Sequence, residues 1–317
     1  MKKIVVLGGG TGLSVLLRGL KQFPLDITAI VTVADDGSSS GRLREEFDIF
    51  AVGDLRNVLV SLSEVEPLIE DLLQYRFVTD SSLNNHPMGN LLLTALYNIT
   101  GNLTESLRSL SKIFNIKGTI LPFTEENPVL IAHTTDGKII EGESNITKAG
   151  KEIDYIEYKN EVKPTKEVIN AIDEADLIIF GIGSLYTSII PNLLSKEVVE
   201  SLKNSKAKKM YVCNIMSEHG ETDNYKVSDC IKKINSYVKE DLMDVVVVNN
   251  KKVPDDIKER YLGETAGQID IDYDVLNDMN VEIIEDELLY ISEKKKVRHD
   301  PYRTALVIFN YIVKELK

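Results

Sequence analysis

The chain has 317 residues, 43% of them hydrophobic and 27% charged, enough to bury a full core and unlike a disordered or fibrous sequence. Its formal net charge of −13 repels nucleic acid and anionic lipid, so neither is an expected partner. Two cysteines, Cys213 and Cys230, lack Cys-x-x-Cys spacing, and no apolar run reaches membrane-spanning or secretory-leader length; the expected location is the cytoplasm, without membrane insertion.

In chain order, the first predicted element is a strand at residues 3 to 7, unbroken in its apolar residues and so buried on both faces. It ends in Gly8-Gly9-Gly10-Thr11-Gly12 and runs straight into a helix at 12 to 21. Gly9, Gly10, Thr11 and Gly12 thus offer backbone amides at a helix N-terminus with no Cβ in the way, which is what a phosphate requires. The dinucleotide fingerprint is incomplete, because its third glycine falls on Leu13, and no Walker lysine follows. An NAD-dependent oxidoreductase is disfavoured on that ground.

A second strand at 27 to 33 leads into Ala34-Asp35-Asp36-Gly37-Ser38-Ser39-Ser40-Gly41-Arg42-Leu43-Arg44. Asp35 and Asp36 could accept ribose hydroxyls or hold Mg²⁺. Gly37 with the hydroxyls of Ser38, Ser39 and Ser40 suits phosphate oxygens, and Arg42 and Arg44 could clamp them. The plainer alternative is a surface turn before a capped helix. Gly53-Asp54-Leu55-Arg56-Asn57 opens the next helix, 55 to 63, with Asp54 as the expected N-cap. Arg56 there opposes the helix dipole, which implies either a nearby anion or a salt bridge to Asp54 or Asp48.

Helices are predicted at 67 to 77, 88 to 99 and 103 to 114, with Asn90 in a polar turn beside the second. Residues 117 to 160 read as a small antiparallel insertion, a hairpin turned at Asp136-Gly137 plus a strand at 155 to 158, inside one domain spanning 1 to 317. A strand at 177 to 181 precedes Gly181-Ile182-Gly183-Ser184-Leu185-Tyr186-Thr187-Ser188, which repeats the logic of the first turn. Gly183, Ser184, Thr187 and Ser188 are its candidate phosphate or sugar contacts; ordinary hydroxyl caps of a helix at 188 to 203 are the alternative.

A strand at 209 to 214 places Asn214 at the ligand edge of the sheet, a candidate for recognising a base or ribose. A helix at 225 to 239 and a strand at 244 to 248 follow. The amphipathic closing helix, 302 to 315, carries Leu306, Phe309, Tyr311 and Val313 and is expected to pack on the sheet, with Arg298 reaching a phosphate just before it. The four histidines show neither zinc nor triad spacing. The expected fold is α/β and Rossmann-like, a mostly parallel sheet with helices on both faces.

With these turns in order, the chain resembles the YvcK-like branch of the YvcK/CofD superfamily. The resemblance rests on Gly8 to Ser14, on Val33 to Arg44, on Gly53-Asp54-Leu55-Arg56-Asn57, on Asn90 and its helix, on Gly183 to Asn192, and on Cys213 to Ser217. It implies a core that binds UDP-sugars such as UDP-N-acetylglucosamine, requires no cofactor, and acts as a gluconeogenesis factor in gluconeogenic growth, cell shape and cell-wall synthesis. A cell-wall or regulatory protein is the implied partner, and a homo-oligomer is compatible with it. The sister CofD-type proteins are enzymes that transfer a phospholactyl-type group from an activated nucleotide to the deazaflavin precursor of coenzyme F420, with Mg²⁺. Where those transferases are expected to carry Pro-Asp-x-Asp, this chain has Gly53-Asp54-Leu55-Arg56, a cation in place of a carboxylate. That favours binding without turnover. Asp36 and Asp54 are the catalytic candidates if a reaction occurs, and Asp35 and Asp36 the metal candidates.

Overall fold

Runs such as Ile4-Val5-Val6-Leu7 and Val245-Val246-Val247-Val248 have no polar face, so they must be covered on both sides. In the computed structural model, which describes residues 1–64, 67–263 and 266–316 and all their side chains except those of Ser38 and Leu262, these runs lie within a seven-stranded sheet. Every pairing in that sheet is parallel.

The strands are β1 (Lys2–Gly8), β2 (Leu25–Val31), β3 (Thr119–Pro122), β4 (Leu130–Thr134), β5 (Ile139–Glu141), β6 (Ile153–Tyr158), β7 (Leu177–Phe180), β8 (Lys208–Val212), β9 (Val245–Asn249), β10 (Glu282–Asp286), β11 (Leu289–Ile291) and β12 (Val297–His299). The helices are α1 (Gly10–Leu20), α2 (Ser38–Phe47), α3 (Gly53–Leu62), α4 (Pro67–Gln74), α5 (Met88–Thr100), α6 (Leu103–Ile113), α7 (Glu143–Ala149), α8 (Lys166–Glu174), α9 (Lys196–Asn204), α10 (Val227–Val238), α11 (Asp255–Gly263), α12 (Tyr273–Asp278) and α13 (Pro301–Glu315).

Across the sheet the strands run β10, β9, β8, β7, β1, β2, β3. The chain winds outward from β1 through β2 to β3, returns to β7 on the other side of β1, and continues to β10. Its direction therefore reverses between β1 and β7. In open sheets of this kind the ligand crevice lies outside the carboxyl ends of the two strands that flank the reversal.

Alternate residues of β1 feed two cores. Ile4 and Val6 pack with Leu13, Leu16, Leu17 and Leu20 of α1 on one face, while Val5 and Leu7 join β4, β6, α8 and α10 on the other. Each such fully buried aliphatic side chain contributes about 1.5–3 kcal/mol. At Gly19 the α1 backbone comes so close to α13 that an added Cβ would collide with the Pro301 carbonyl. The closing helix thus rests chiefly along α1 rather than on the sheet; Phe309 stacks on Phe23 with centroids 4.6 Å apart, while Leu306 and Val313 face solvent.

Other expectations also need correction. The segment 117 to 160 divides, because Thr119–Pro122 pairs with β2 as an edge strand of the main sheet; only β4, β5, β6 and α7 form the antiparallel piece, hinged at Gly137 (φ +82°). The helix at 188 to 203 is broken: a π-helical turn at Leu185–Ile189 passes into a 3₁₀ turn at Ile190–Leu193, and α9 starts afresh after Ser195. Pro191, without an N–H, cannot continue the α-helical ladder. Helix α3 starts at Gly53 with Val52 as its cap, so Asp54 lies inside the first turn and its carboxylate is free to serve another element.

Candidate functional site

Loops leaving the carboxyl ends of β1, β7 and β8 enclose a cavity of about 370 Å³, within the range of roughly 300–1,000 Å³ typical of small-molecule sites. Gly9, Gly10, Thr11 and Gly12 form the wall from β1. Gly183, Ser184, Thr187 and Ser188 form the wall from β7, and Asn214 and Arg298 complete the set of sequence candidates found there. The two glycine turns are joined directly. A Cβ on Gly12 would come within 2.7 Å of the Ile182 carbonyl carbon, so only glycine lets α1 approach the β7 turn this closely. Gly10 adopts φ +67°, a left-handed conformation that favours glycine at this turn.

That amide donates to Asp54 Oδ2 at 2.6 Å. A carboxylate from α3 therefore already occupies part of the positive end of α1. Burial, then the charge of Asp35, push the Asp54 carboxyl up to about 6, against the Gly10 hydrogen bond and Arg56.

The β7 turn is fixed by side chains rather than left open. Asn214 Oδ1 accepts the Gly183 N–H at 3.3 Å and its Nδ2 donates to the Gly183 carbonyl at 2.9 Å. This amide, a candidate for reading a base, thus holds the turn in register. Ser184 Oγ caps the π-helical turn by accepting the Thr187 N–H at 3.0 Å, and it donates to Glu221 in a short hydrogen bond. Tyr186 N–H also donates to Glu221, at 3.2 Å. His299 donates to the Cys213 carbonyl at 3.1 Å, and burial pushes it down to about 4, leaving a neutral ring.

Arg298 is the one lysine or arginine among the described lining residues, exposed and donating only to the adjacent Val297 carbonyl. Facing it are three carboxyls that sequence reasoning did not single out, Glu143 of α7 and Glu218 and Glu221 of the β8 loop. Burial, Asp35, Asp54, Asp36 and Glu221 push Glu143 up to about 8; burial and Glu218 do the same to Glu221. Burial raises Glu218 too, although Arg298 opposes it. Glu218 and Glu221 stand in a segment already placed at the ligand edge, so a signal existed. Glu143 had none, because nothing in a hairpin sequence tells which way the next short helix points.

The remaining candidates with described side chains are not among the lining residues. A Cβ on Gly53 would meet both Ser40 Oγ and Asp35 Oδ2, so the β2 loop and α3 are in contact behind Asp54. Asp35 accepts the Gly37 amide and Asp36 the Ser144 amide, each at 2.8 Å. Ser39 is buried between His86 Nδ1 at 2.8 Å and Asn90 Nδ2 at 3.1 Å, and Ser40 is buried as well. The Ser38 side chain lies outside the described residues. Arg42 donates to the Ser82 and Asn84 carbonyls, and Arg44 to those of Ala34, Asp35 and Pro128. Arg56 is buried on Asn57 Oδ1 at 2.7 Å with its Nε unpartnered; burial and Arg76 push it down to about 10. These arginines brace loops, and Arg56 meets neither of the salt-bridge partners the sequence suggested.

Fold and cavity together define a Rossmann-type α/β protein with a cavity at the strand-order reversal. The family model described as 2-phospho-L-lactate transferase CofD matches residues 4–289. A Bacillus subtilis protein named gluconeogenesis factor is 46% identical over 311 residues, covering 98% of each chain. Its namesake in Halalkalibacterium halodurans is 45% identical over 308 residues, covering 97% of this chain and 95% of that one. A crystal structure of a Bacillus halodurans protein matches with a TM-score of 0.94 at 45% identity, covering 97% of this chain and 99% of the other. The chain belongs to the CofD family, in the YvcK-like branch whose members are named gluconeogenesis factors.

The resemblance to CofD-type transferases carries the expectation of Mg²⁺. Among the described residues no three His, Cys, Asp or Glu side chains converge as metal ligands, and Asp35 and Asp36 are occupied by backbone amides. The residues as arranged do not fit a metal cage, and no chemical step is derived through one.

Proposed function

We propose that the chain binds a nucleotide sugar of the UDP-N-acetylglucosamine type and acts, as a cytoplasmic regulatory protein of gluconeogenic growth, cell shape and wall synthesis, through a protein partner that senses the loaded state. The observation that carries this reading is the meeting of two glycine turns from adjacent strands, Gly9–Gly12 and Gly183–Ser188, in one cavity with Arg298 at its edge. The glycines of the two turns let a diphosphate approach the backbone at the start of α1, and a guanidinium neutralises it. The loaded state can be communicated through Asp36, whose carboxylate ties the β2 loop to α7 at the cavity wall. Isothermal titration with UDP-N-acetylglucosamine tests it: saturable heat is expected, and no heat at millimolar ligand contradicts it.

A second reading, a Mg²⁺-dependent transferase acting on an activated nucleotide, is supported by the family match and by the closeness of Asp54 to the first glycine turn. Incubation with candidate nucleotides and Mg²⁺ separates the two, since a regulatory binder leaves its ligand intact.

A further inference from the structure

Helix α7 is the only part of the antiparallel piece that lines the cavity among the described residues, and it does so through Glu143 and Thr147, one turn apart on one face. The helix is held at both ends. Asp36 accepts the Ser144 amide at 2.8 Å at its start. At its end Gly150 packs against the His219 ring and Gly220, and the Ile153 amide donates to the Gly220 carbonyl at 3.1 Å. Ile146 anchors the underside in the core. A side chain on the upper face is therefore presented at a fixed height.

The Glu143 carboxyl uses none of this scaffold. It is half-buried, lines the cavity, and makes no hydrogen bond among the described residues. The charged groups around it are Asp35 and Asp36 of the β2 loop, Asp54 of α3 and Glu221 of the β8 loop, with Glu218 next to Glu221. Asp35 and Asp36 disfavour a diphosphate beside Glu143, and Arg298 attracts one elsewhere in the lining. What comes to Glu143 is the uncharged part of the ligand.

We propose that Glu143 is a specificity-determining residue that reads the sugar of a nucleotide sugar, donating to one polar group of the sugar or its acyl amide and accepting from another. The inference rests on the nucleotide-sugar reading of the same cavity. The push on Glu143 toward about 8 keeps the carboxyl protonated near neutrality, so that a single group supplies both a donor and an acceptor. Glutamine offers the same pair without a charge, and alanine offers neither.

The test is calorimetry at neutral pH on the full chain with two probes, UDP and UDP-N-acetylglucosamine, against wild type, Glu143→Ala and Glu143→Gln. Glu143→Ala is expected to weaken UDP-N-acetylglucosamine by about tenfold or more, the effect of losing one donated and one accepted hydrogen bond, while UDP stays within about twofold of wild type. Glu143→Gln is expected to restore most of the loss. A Glu143→Ala protein that melts normally and keeps the wild-type preference between the probes overturns the inference alone, as does a Glu143→Gln protein as impaired as alanine. Failure of wild type to bind either probe overturns the nucleotide-sugar reading and this inference with it.

Discussion

Asp54 Oδ2 accepts the Gly10 N–H at 2.6 Å, so the first helix of the sheet begins against a carboxylate supplied by α3. A Cβ on the neighbouring Gly9 would come within 2.9 Å of the same oxygen, so the contact is part of how the turn is built. The protein thereby places its own anion at one amide of the nest.

The charge on Asp54 has a measurable cost. Its carboxyl is pushed from 3.8 up to about 6, so the folded protein holds a proton that the unfolded chain has lost across that window. Stability from this group is therefore highest below pH 3.8, falls as pH rises through the window, and stays low above about 6. Asp54→Asn retains an acceptor oxygen without the charge. Relative to wild type, its melting temperature should gain more at about pH 8 than at about pH 4. An equal or opposite difference at the two values contradicts the assignment.

Glu143 and Glu221 extend the same argument to higher pH. Both stand at about 8 against an ordinary 4.5, surrounded by Asp35, Asp36, Asp54 and Glu218, with Arg298 the one lining arginine or lysine among the described residues. The native state again binds more protons than the unfolded chain, so stability declines as pH rises from 4.5 to about 8. Glu143→Gln and Glu221→Gln should each flatten that decline in urea midpoints measured across the window. A slope unchanged in both variants would count against buried, proton-loaded carboxyls.

Two glycines of α1 separate packing from binding. Gly12→Ala drives a methyl group into Ile182 beside the cavity, whereas Gly19→Ala drives one into Pro301 and Ala305, about 10 Å further along the helix. Each should cost about 1–3 kcal/mol in denaturant unfolding. Only Gly12→Ala should also weaken UDP-N-acetylglucosamine, because only it forces the two turns apart. Equal losses of affinity in both variants would show that the effect is global.

Arg298 is exposed and, among the described residues, its guanidinium donates only to Val297, so little of the fold depends on it. Arg298→Ala should leave the melting temperature within about 1 °C of wild type. It should weaken a diphosphate ligand about tenfold or more, with a shallower salt dependence than wild type. Retained affinity with an unchanged salt slope would place the diphosphate elsewhere.

The main sheet was largely legible because its central strands are unbroken apolar runs, a pattern that few other elements share. Its edges were not: Thr119–Pro122 is four residues long, and β10, Glu-Ile-Ile-Glu-Asp, is only partly buried and looks like a polar loop. The two glycine turns were found because the chemistry of an amide nest is written in local sequence. Glu143 was not, since its place in the cavity depends on Asp36 and Gly220, far from it in the chain. Arg42, Arg44 and Arg56 illustrate the reverse. Their composition suggested phosphate clamps, yet the folded chain sets Arg42 and Arg44 on backbone carbonyls and Arg56 on Asn57, contacts that sequence spacing does not reveal.

The most direct test is a crystal structure of the chain with UDP-N-acetylglucosamine bound. The account requires the two phosphates to lie between Gly9–Gly12 and Gly183–Ser188, within hydrogen-bond reach of amides at the start of α1 and facing Arg298. Phosphates seated on the Ser38–Arg44 loop instead, with the crevice between β1 and β7 holding only solvent, would contradict it.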